Sequence, residues 1–349
     1  MEHKKEKIKR RVAINGFGRI GRAAAKIALE KNDIELVAIN DLVDPKMLAY
    51  LLKYDTVYGT YKKEISASDK KPLKSSDCKG SLRIGDAVIP ILAQKDPEKL
   101  PWKELKVDVV LESTGFFTTT EKANAHLKAG AKRVIISAPA KDEETATNVI
   151  SVNTLDGVAH KIVSNASCTT NCIAPVTKII QDAFGIEKGM ITTIHSYTST
   201  QNLVDGPSKD FRRARAAAYN IIPTSTGAAI ATTKTIPSLS GKFDAIALRV
   251  PTIDGSLSDF TFVLKKDTSV EEVNKLFREQ SEKYPYKHIV AVTDEPLVSS
   301  DIIGNPHSAI VDLEFTRVVG GNLLKVLAWY DNEWGYANRF VEMVSHLTI

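Results

Sequence analysis

The chain has no uninterrupted apolar run near the roughly 20 residues that a membrane helix requires. No membrane partner is expected. It has only three cysteines, Cys78, Cys168 and Cys172, too few for a disulfide framework, so a reducing cytoplasmic setting fits best. Cys168 and Cys172 have no further cysteine or histidine close by in sequence, which argues against a metal site, and no metal is expected. Internal repeats and low-complexity tracts are absent. The first eleven residues, MEHKKEKIKRR, lack the apolar core of a secretory signal and read as a solvated lead-in to the first strand.

At 349 residues the chain suits about two domains rather than one core. Its 43% hydrophobic and 26% charged residues are ordinary for a globular protein. A net charge of +5 admits attraction to nucleic acid, or a basic surface with pockets for anionic metabolites. Apart from the lead-in, lysines and arginines are scattered among acids. Charge alone supplies only non-specific nucleic-acid binding, so nucleic acid is not expected as the primary partner.

The first 140 residues alternate short apolar runs with helical stretches, as in a parallel sheet wrapped by helices. RVAIN at Arg11 to Asn15, ELVAIN at Glu35 to Asn40, VDVVLE ending at Glu112 and RVIIS ending at Ser137 predict strands. Helices are predicted from Arg19 to Lys31 and around Glu121 to Gly130, and Ser66 to Gly85 reads as a hairpin or loop. Beyond residue 167, alternation and β-branched residues in MITTIH, AIALRV, Phe260 to Leu264 and Leu323 to Trp329 suit a more antiparallel sheet. Helices are predicted at Val270 to Lys283 and Trp334 to His346. The fold class expected is α/β: a dinucleotide-binding domain over residues 1–167, completed by a helix in 332–349, and an α+β catalytic domain over 168–331 with a mixed sheet.

Gly16, Phe17, Gly18, Arg19, Ile20 and Gly21 form a GxGxxG that follows a strand and opens a helix. Gly16 permits the tight turn, Gly18 lets a pyrophosphate approach the backbone, and Gly21 lets helix and strand pack closely. The helix start offers free N–H groups to phosphate. Asp41 ends the second strand, about 20 residues beyond the last glycine. A carboxylate there can hold both ribose hydroxyls and repels a 2′-phosphate, which selects NAD over NADP; the plainer reading is a residue of a strand-end turn.

SNASCTTNC, Ser164 to Cys172, runs from a strand (Lys161 to Val163) into a helix. Cys168 therefore stands at a helix N-terminus, where the macrodipole can lower a thiol pKa. A bare cysteine is ordinarily a small buried hydrophobe, but hydroxyl and amide residues crowd this one. Cys172, one turn on, reads as structural. His195 closes the strand MITTIH. A lone histidine is ordinarily a packing residue, yet an imidazole beside a thiol can hold the anion and then move a proton.

NGFGRIGR, SNASCTTNC, TTIHSYT, RRARAAA, IIPTSTGAA, LRVPT and WYDNEWGY, in this order, resemble the glyceraldehyde-3-phosphate dehydrogenase family from about Arg11 to the C-terminus. The resemblance implies NAD-dependent, phosphorylating oxidation of glyceraldehyde 3-phosphate to 1,3-bisphosphoglycerate in glycolysis or gluconeogenesis. It implies that Cys168 forms a thiohemiacetal and then a thioester, with His195 taking the proton. Thr198 and Arg249 match residues holding the substrate's phosphate. Ser167, Thr169, Arg213, Thr226 and Gly227 match those associated with inorganic phosphate. Arg213 can also be a surface charge beside Arg212 and Arg215, whereas Arg249 lies in an apolar strand where an unpaired charge is costly. Asn332 and Tyr336 match residues orienting the nicotinamide carboxamide, and can equally be a cap and a packing aromatic. Thr114, Phe117 and Ser137 fit an adenine and ribose lining.

The segment Tyr197 to Arg213 corresponds to a family loop that packs across a subunit interface, which implies a homotetramer. Pro207 fits the NAD-using members. Gly206 stands where many members carry a bulkier residue, Thr200 where some bacterial ones have Asp, and TIDGSLS at Thr252 to Ser258 differs from the commoner form. Erythrose-4-phosphate dehydrogenase is the nearest rival, but it usually lacks the Thr-Gly present here as Thr226-Gly227. A non-catalytic NAD- or RNA-binding protein on the same fold is the rival of another class, since fold alone does not fix function.

Overall fold

A computed structural model describes residues 9–153 and 160–347. The charged lead-in lies outside the described residues as far as Ile8. The chain divides into two compact units. One takes the stretch up to Ala146, the segment ending at Asn165 and the residues from Phe340 onward; the other takes the segment starting at Thr147 and Ala166–Arg339. The division thus falls within the helix Trp334–His346.

In the first unit six strands pair in parallel, in the order Ile162–Ser164, Arg133–Ile136, Val109–Glu112, Arg10–Asn15, Ile34–Asn40 and Ala87–Leu92. Arg133–Ile136 and Val109–Glu112 are buried throughout, as strands covered on both faces must be. Cys78–Ile84 and Ile65–Ser68 add an antiparallel edge, so Ser66 to Gly85 is a hairpin rather than a loop. Arg10–Asn15 lies between Ile34–Asn40 and Val109–Glu112. Strand order reverses there, which opens a crevice at the carboxyl ends of the strands.

The second unit carries a seven-stranded sheet in the order Ile222–Ser225, Phe243–Val250, Ile186–Ser196, Ser256–Leu264, Leu323–Tyr330, Ala309–Val319 and Val290–Thr293. It is mixed: Ile186–Ser196 runs parallel to Phe243–Val250 and antiparallel to Ser256–Leu264. Ser256–Leu264 alternates buried and half-buried residues along its length, the signature of a sheet with one covered face. The helix Cys168–Phe184 has twelve buried residues, Ile173, Val176, Ile179 and Ile180 among them. No helix among the described residues is long and apolar enough to cross a membrane.

Candidate active site

The nucleotide cavity belongs to the first unit. Gly16 has φ +93°, and a Cβ there would stand 2.8 Å from Thr114 N. A Cβ on Gly21 would stand 2.1 Å from the Gly16 carbonyl oxygen. The first glycine is needed for backbone angle, the third for close approach. Gly18, between them, precedes Arg19–Ala28 without a side-chain cap, and no acidic residue occupies the first turn. A Cβ on Gly18 would meet nothing within 4 Å. That open cradle at a helix N-terminus fits an anionic pyrophosphate.

A cavity of about 460 Å³ opens here, lined by Gly16, Gly18, Asp41, Thr114 and Phe117. Phe17, Arg19, Ile20, Gly21 and Ser137 stand outside its lining. Phe17 N donates to Asp41 Oδ2 at 2.7 Å, so the carboxylate also ties down the glycine turn. Val43 N donates to its other oxygen at 3.0 Å. Each oxygen retains a second lone pair for a ribose hydroxyl. Arg19 is committed to Asp55 at 2.7 Å. Ser137 N donates to Glu112 O within the sheet. Asn15, Asn40 and Gln94 also line the cavity; no motif in the sequence singles them out as site residues.

In the second unit, Ser167 caps the helix Cys168–Phe184, its Oγ accepting from Thr170 N at 3.1 Å. Ala166 just before it has φ +54°, a left-handed conformation that costs a residue with a Cβ about 1–2 kcal/mol. Tyr336 OH donates to Ala166 O at 3.1 Å and holds that turn. Cys168 is half-buried, whereas Cys78 and Cys172 are buried.

Cys168 Sγ lies 3.4 Å from His195 Nε2. His195 and Arg249 are register partners on parallel strands, so their side chains leave the same face. Arg249 Nη1 reaches His195 Nδ1 at 2.6 Å and donates to Ser196 O at 2.9 Å. Tyr330, missed by the sequence reading although it lies in WYDNEWGY, packs against His195 in a T-shaped arrangement. Its hydroxyl meets Thr169 Oγ1 at 3.1 Å and Thr193 Oγ1 at 2.7 Å.

Burial, then the neighbouring Arg249 charge, push the His195 imidazole down to about 3. Burial also raises the Cys168 thiol, against the opposing pull of Arg249 and Thr169. Burial, the largest of these effects, acts on the thiol in the direction opposite to that expected of the helix dipole. Passing the proton from Sγ to Nε2 creates both charges together, 3.4 Å apart, where each stabilises the other. Cys172 is pushed up to about 12 by burial and is no nucleophile.

Arg213 Nε donates to Thr224 Oγ1 at 3.0 Å, and its guanidinium also lies 3.5 Å from Asp210. Thr226 Oγ1 accepts from Ala228 N at 3.2 Å, and Gly227 precedes the helix Ala228–Thr235. Arg213 is near enough to Arg249 to depress its pKa, after the larger effect of burial. Arg249 Nε is buried with no hydrogen-bond partner among the described residues. Thr198 Oγ1 meets Thr200 Oγ1 at 2.9 Å. The cysteine, histidine, Thr169 and Arg249 therefore form one cluster. Arg213, Thr226 and Gly227 gather around the start of a second helix.

Asn332 Oδ1 accepts from Ser196 Oγ at 3.0 Å and Ser256 Oγ at 2.7 Å. Ser196 lies in TTIHSYT and Ser256 in TIDGSLS, but nothing in either stretch marks the serine as a partner of Asn332. The helix cap is Asp331, whose Oδ1 accepts from Trp334 N at 2.6 Å.

Residues 10–120 match the family model for the glyceraldehyde 3-phosphate dehydrogenase NAD binding domain, and residues 167–332 match the C-terminal domain of the same family. The chain is 51% identical over 344 residues to glyceraldehyde-3-phosphate dehydrogenase of Mycolicibacterium smegmatis, covering 96% of this chain and 97% of that one. It is 49% identical over 340 residues to glyceraldehyde-3-phosphate dehydrogenase 1 of Bacillus cereus, covering 97% and 98%. With the counterpart from Streptomyces avermitilis it shares 48% over 336 residues, covering 95% and 97%. Similarity of this extent spans both units, and the chain belongs to the glyceraldehyde-3-phosphate dehydrogenase family of NAD-dependent dehydrogenases.

Proposed function

We propose that this enzyme oxidises glyceraldehyde 3-phosphate with inorganic phosphate to 1,3-bisphosphoglycerate through a thioester on Cys168, in glycolysis or its reverse. The 3.4 Å approach of Cys168 Sγ to His195 Nε2 carries the reading. The thiolate attacks the aldehyde carbon, forming a C–S bond, and the imidazolium returns the proton it took from sulfur to the carbonyl oxygen, giving the hydroxyl of a thiohemiacetal and a neutral His195. The Cys168 N–H is among the first four of its helix, which lack intrahelical acceptors, and is assigned as the donor to that oxygen. His195 Nε2 takes the hydroxyl proton as the carbon loses its hydride, and a thioester remains. NAD, when bound, supplies the acceptor for that hydride. A phosphate oxygen then attacks the thioester carbon, the C–S bond breaks, and Cys168 departs as thiolate.

Gly16, Gly18, Asp41, Thr114 and Phe117 would hold the adenosine and pyrophosphate portion of the cofactor, with Asn332 and Tyr336 assigned to the carboxamide end. Arg249 and Thr198 are assigned to the phosphate carried by the substrate, supported by the unpartnered buried Nε of Arg249. Ser167, Thr169, Arg213, Thr226 and Gly227 are assigned to inorganic phosphate. Two guanidiniums close enough to oppose one another's charge favour anions between them. A cytoplasmic homotetramer is proposed, with Tyr197 to Arg213 at a subunit contact. The support is the exposure of Leu203, Val204 and Phe211, at 76%, 72% and 89%.

The test is NADH formation from glyceraldehyde 3-phosphate and from erythrose 4-phosphate, each with and without phosphate. The triose should be preferred, and continued turnover should require phosphate. Preference for erythrose 4-phosphate, or steady turnover independent of phosphate, would overturn the reading.

A further inference from the structure

The first unit holds a buried chain of polar side chains that the proposed chemistry does not use. Glu112, 1% exposed, receives four donors on its carboxylate. Asn15 Nδ2 at 2.5 Å and His126 Nε2 at 3.0 Å meet Oε2. Thr114 N at 2.8 Å and Thr114 Oγ1 both meet Oε1. Behind His126, Trp102 Nε1 donates to Nδ1 at 3.0 Å. An indole N–H can only donate, so Nδ1 is bare and the imidazole proton sits on Nε2, aimed at Glu112. On the other side, Asn15 Oδ1 accepts from Asn40 Nδ2 at 2.7 Å. Asn40 then brackets Gln94, donating to its carbonyl and accepting from its N–H, both at 2.9 Å.

Asn15, Asn40 and Glu112 are each the last residue of their strand, and those three strands are neighbours at the point where strand order reverses. Asn15, Asn40, Gln94 and Thr114 line the nucleotide cavity; Glu112, His126 and Trp102 do not. A buried carboxylate is costly compared with an apolar residue of similar volume, so folding alone does not account for one here. We infer that Glu112 and His126 are positioning residues for the dinucleotide, fixing Thr114 and Asn15 in the cavity wall without touching the ligand. The inference rests on the reading of this cavity as the dinucleotide site.

Three variants of the full chain test it. His126→Phe removes both ring nitrogens. His126→Gln can restore them, Oε1 accepting from Trp102 and Nε2 donating to Glu112. Glu112→Gln keeps the shape but replaces one carboxylate oxygen by an amide N–H₂, for which only the Thr114 hydroxyl among the four surrounding groups can accept. NAD binding is measured by calorimetry beside the aldehyde KM. Loss of one hydrogen bond to a charged group corresponds to about ten-fold in Kd. That rise is expected for His126→Phe and Glu112→Gln, with the aldehyde KM unchanged and His126→Gln within about two-fold of wild type. ¹⁵N shifts of the wild-type imidazole should show the proton on Nε2. Should His126→Phe not fold, Glu112→Gln decides. Asp41→Ala separates the two readings. If Asp41→Ala leaves NAD affinity intact, the cavity is not the dinucleotide site and the inference falls with it. If Asp41→Ala weakens NAD while folded His126→Phe or Glu112→Gln binds as wild type, or if His126→Gln fails as badly as Phe, the positioning role alone is wrong.

Discussion

Arg249 Nη1 stands 2.6 Å from His195 Nδ1, on the side of the imidazole turned away from Cys168. Ser196 O lies 2.7 Å from the same Nδ1. One nitrogen cannot both accept from the guanidinium and donate to the carbonyl. With Arg249 donating, the ring proton sits on Nε2 and faces sulfur; with Ser196 accepting, Nε2 is bare and can act as base. Whatever draws Arg249 toward a substrate phosphate therefore also frees Nδ1 to donate to Ser196. In the proposed assignment, substrate binding and proton transfer share one guanidinium.

The same contact sets how stability depends on pH. An unfolded imidazole takes up its proton near pH 6.5, whereas burial and Arg249 hold the folded His195 at about 3. Between those values the unfolded chain binds more protons, so stability falls as pH falls and is fully present only above about 6.5. Proton transfer between Cys168 and His195 leaves the proton count unchanged and does not alter the sign. From pH 6.5 to 5 this group alone should cost on the order of 2 kcal/mol. Denaturant titrations of wild type and His195→Asn at both pH values check it: the variant should lose less stability on acidification. Equal losses would mean that His195 titrates normally in the fold.

Cysteine labelling separates the nucleophile from its neighbours by access as well as charge. Cys78 and Cys172 are both 0% exposed, and burial lifts Cys172 to about 12. Iodoacetate should modify Cys168 far faster than either, and Cys168→Ser should lose NADH formation while keeping NAD affinity. Because the Arg249 charge favours the thiolate, Arg249→Ala should move the midpoint of the alkylation-pH profile upward. A midpoint that stays or drops would show that the imidazole, relieved of the same cation, dominates the thiol. Peptide mapping after timed labelling resolves all three cysteines.

Asp41 does two things at once, and its substitution should show both. It accepts from Phe17 N in the glycine turn, and it would repel a 2′-phosphate. Asp41→Gly should narrow the preference for NAD over NADP, and should also weaken NAD because the turn loses its tie. A charge-assisted hydrogen bond of about 1.5–3 kcal/mol corresponds to roughly ten- to a hundred-fold. Comparing kcat/KM for the two cofactors before and after the change tests this. An unaltered NAD value would remove the structural half of the role.

The parts legible in sequence were those with a local physical signature. The glycine turn, the parallel strands of the first unit and the capped helix at Cys168 each follow from spacing within a few residues. The Arg249–His195 contact was not legible, because it arises from register between strands more than fifty residues apart. Sequence marks Arg249 as a charge in an apolar strand and, by family resemblance, as a phosphate ligand, but not as a neighbour of the imidazole. Tyr330 lies one residue beyond the expected strand Leu323 to Trp329, and only the pairing of Leu323–Tyr330 with Ser256–Leu264 brings it into the sheet that carries His195. Glu112, His126 and Trp102 carry no motif at all.

The two arginines should fail at different steps. Arg249 touches the imidazole and keeps a buried, unpartnered Nε, so its loss should be felt from aldehyde entry onward. Arg249→Ala should raise the aldehyde KM and slow the first hydride transfer, by roughly ten- to a hundred-fold for one charge-assisted contact. Arg213 instead ties to Thr224 and Asp210 beside Thr226 and Gly227, away from His195. Arg213→Ala should therefore keep a fast NADH burst near one per active site, then turn over slowly with a weakened response to phosphate. Rapid-mixing absorbance at several phosphate concentrations distinguishes the two. If Arg213→Ala loses the burst at saturating aldehyde while Arg249→Ala keeps it, the phosphate pockets are assigned the wrong way round.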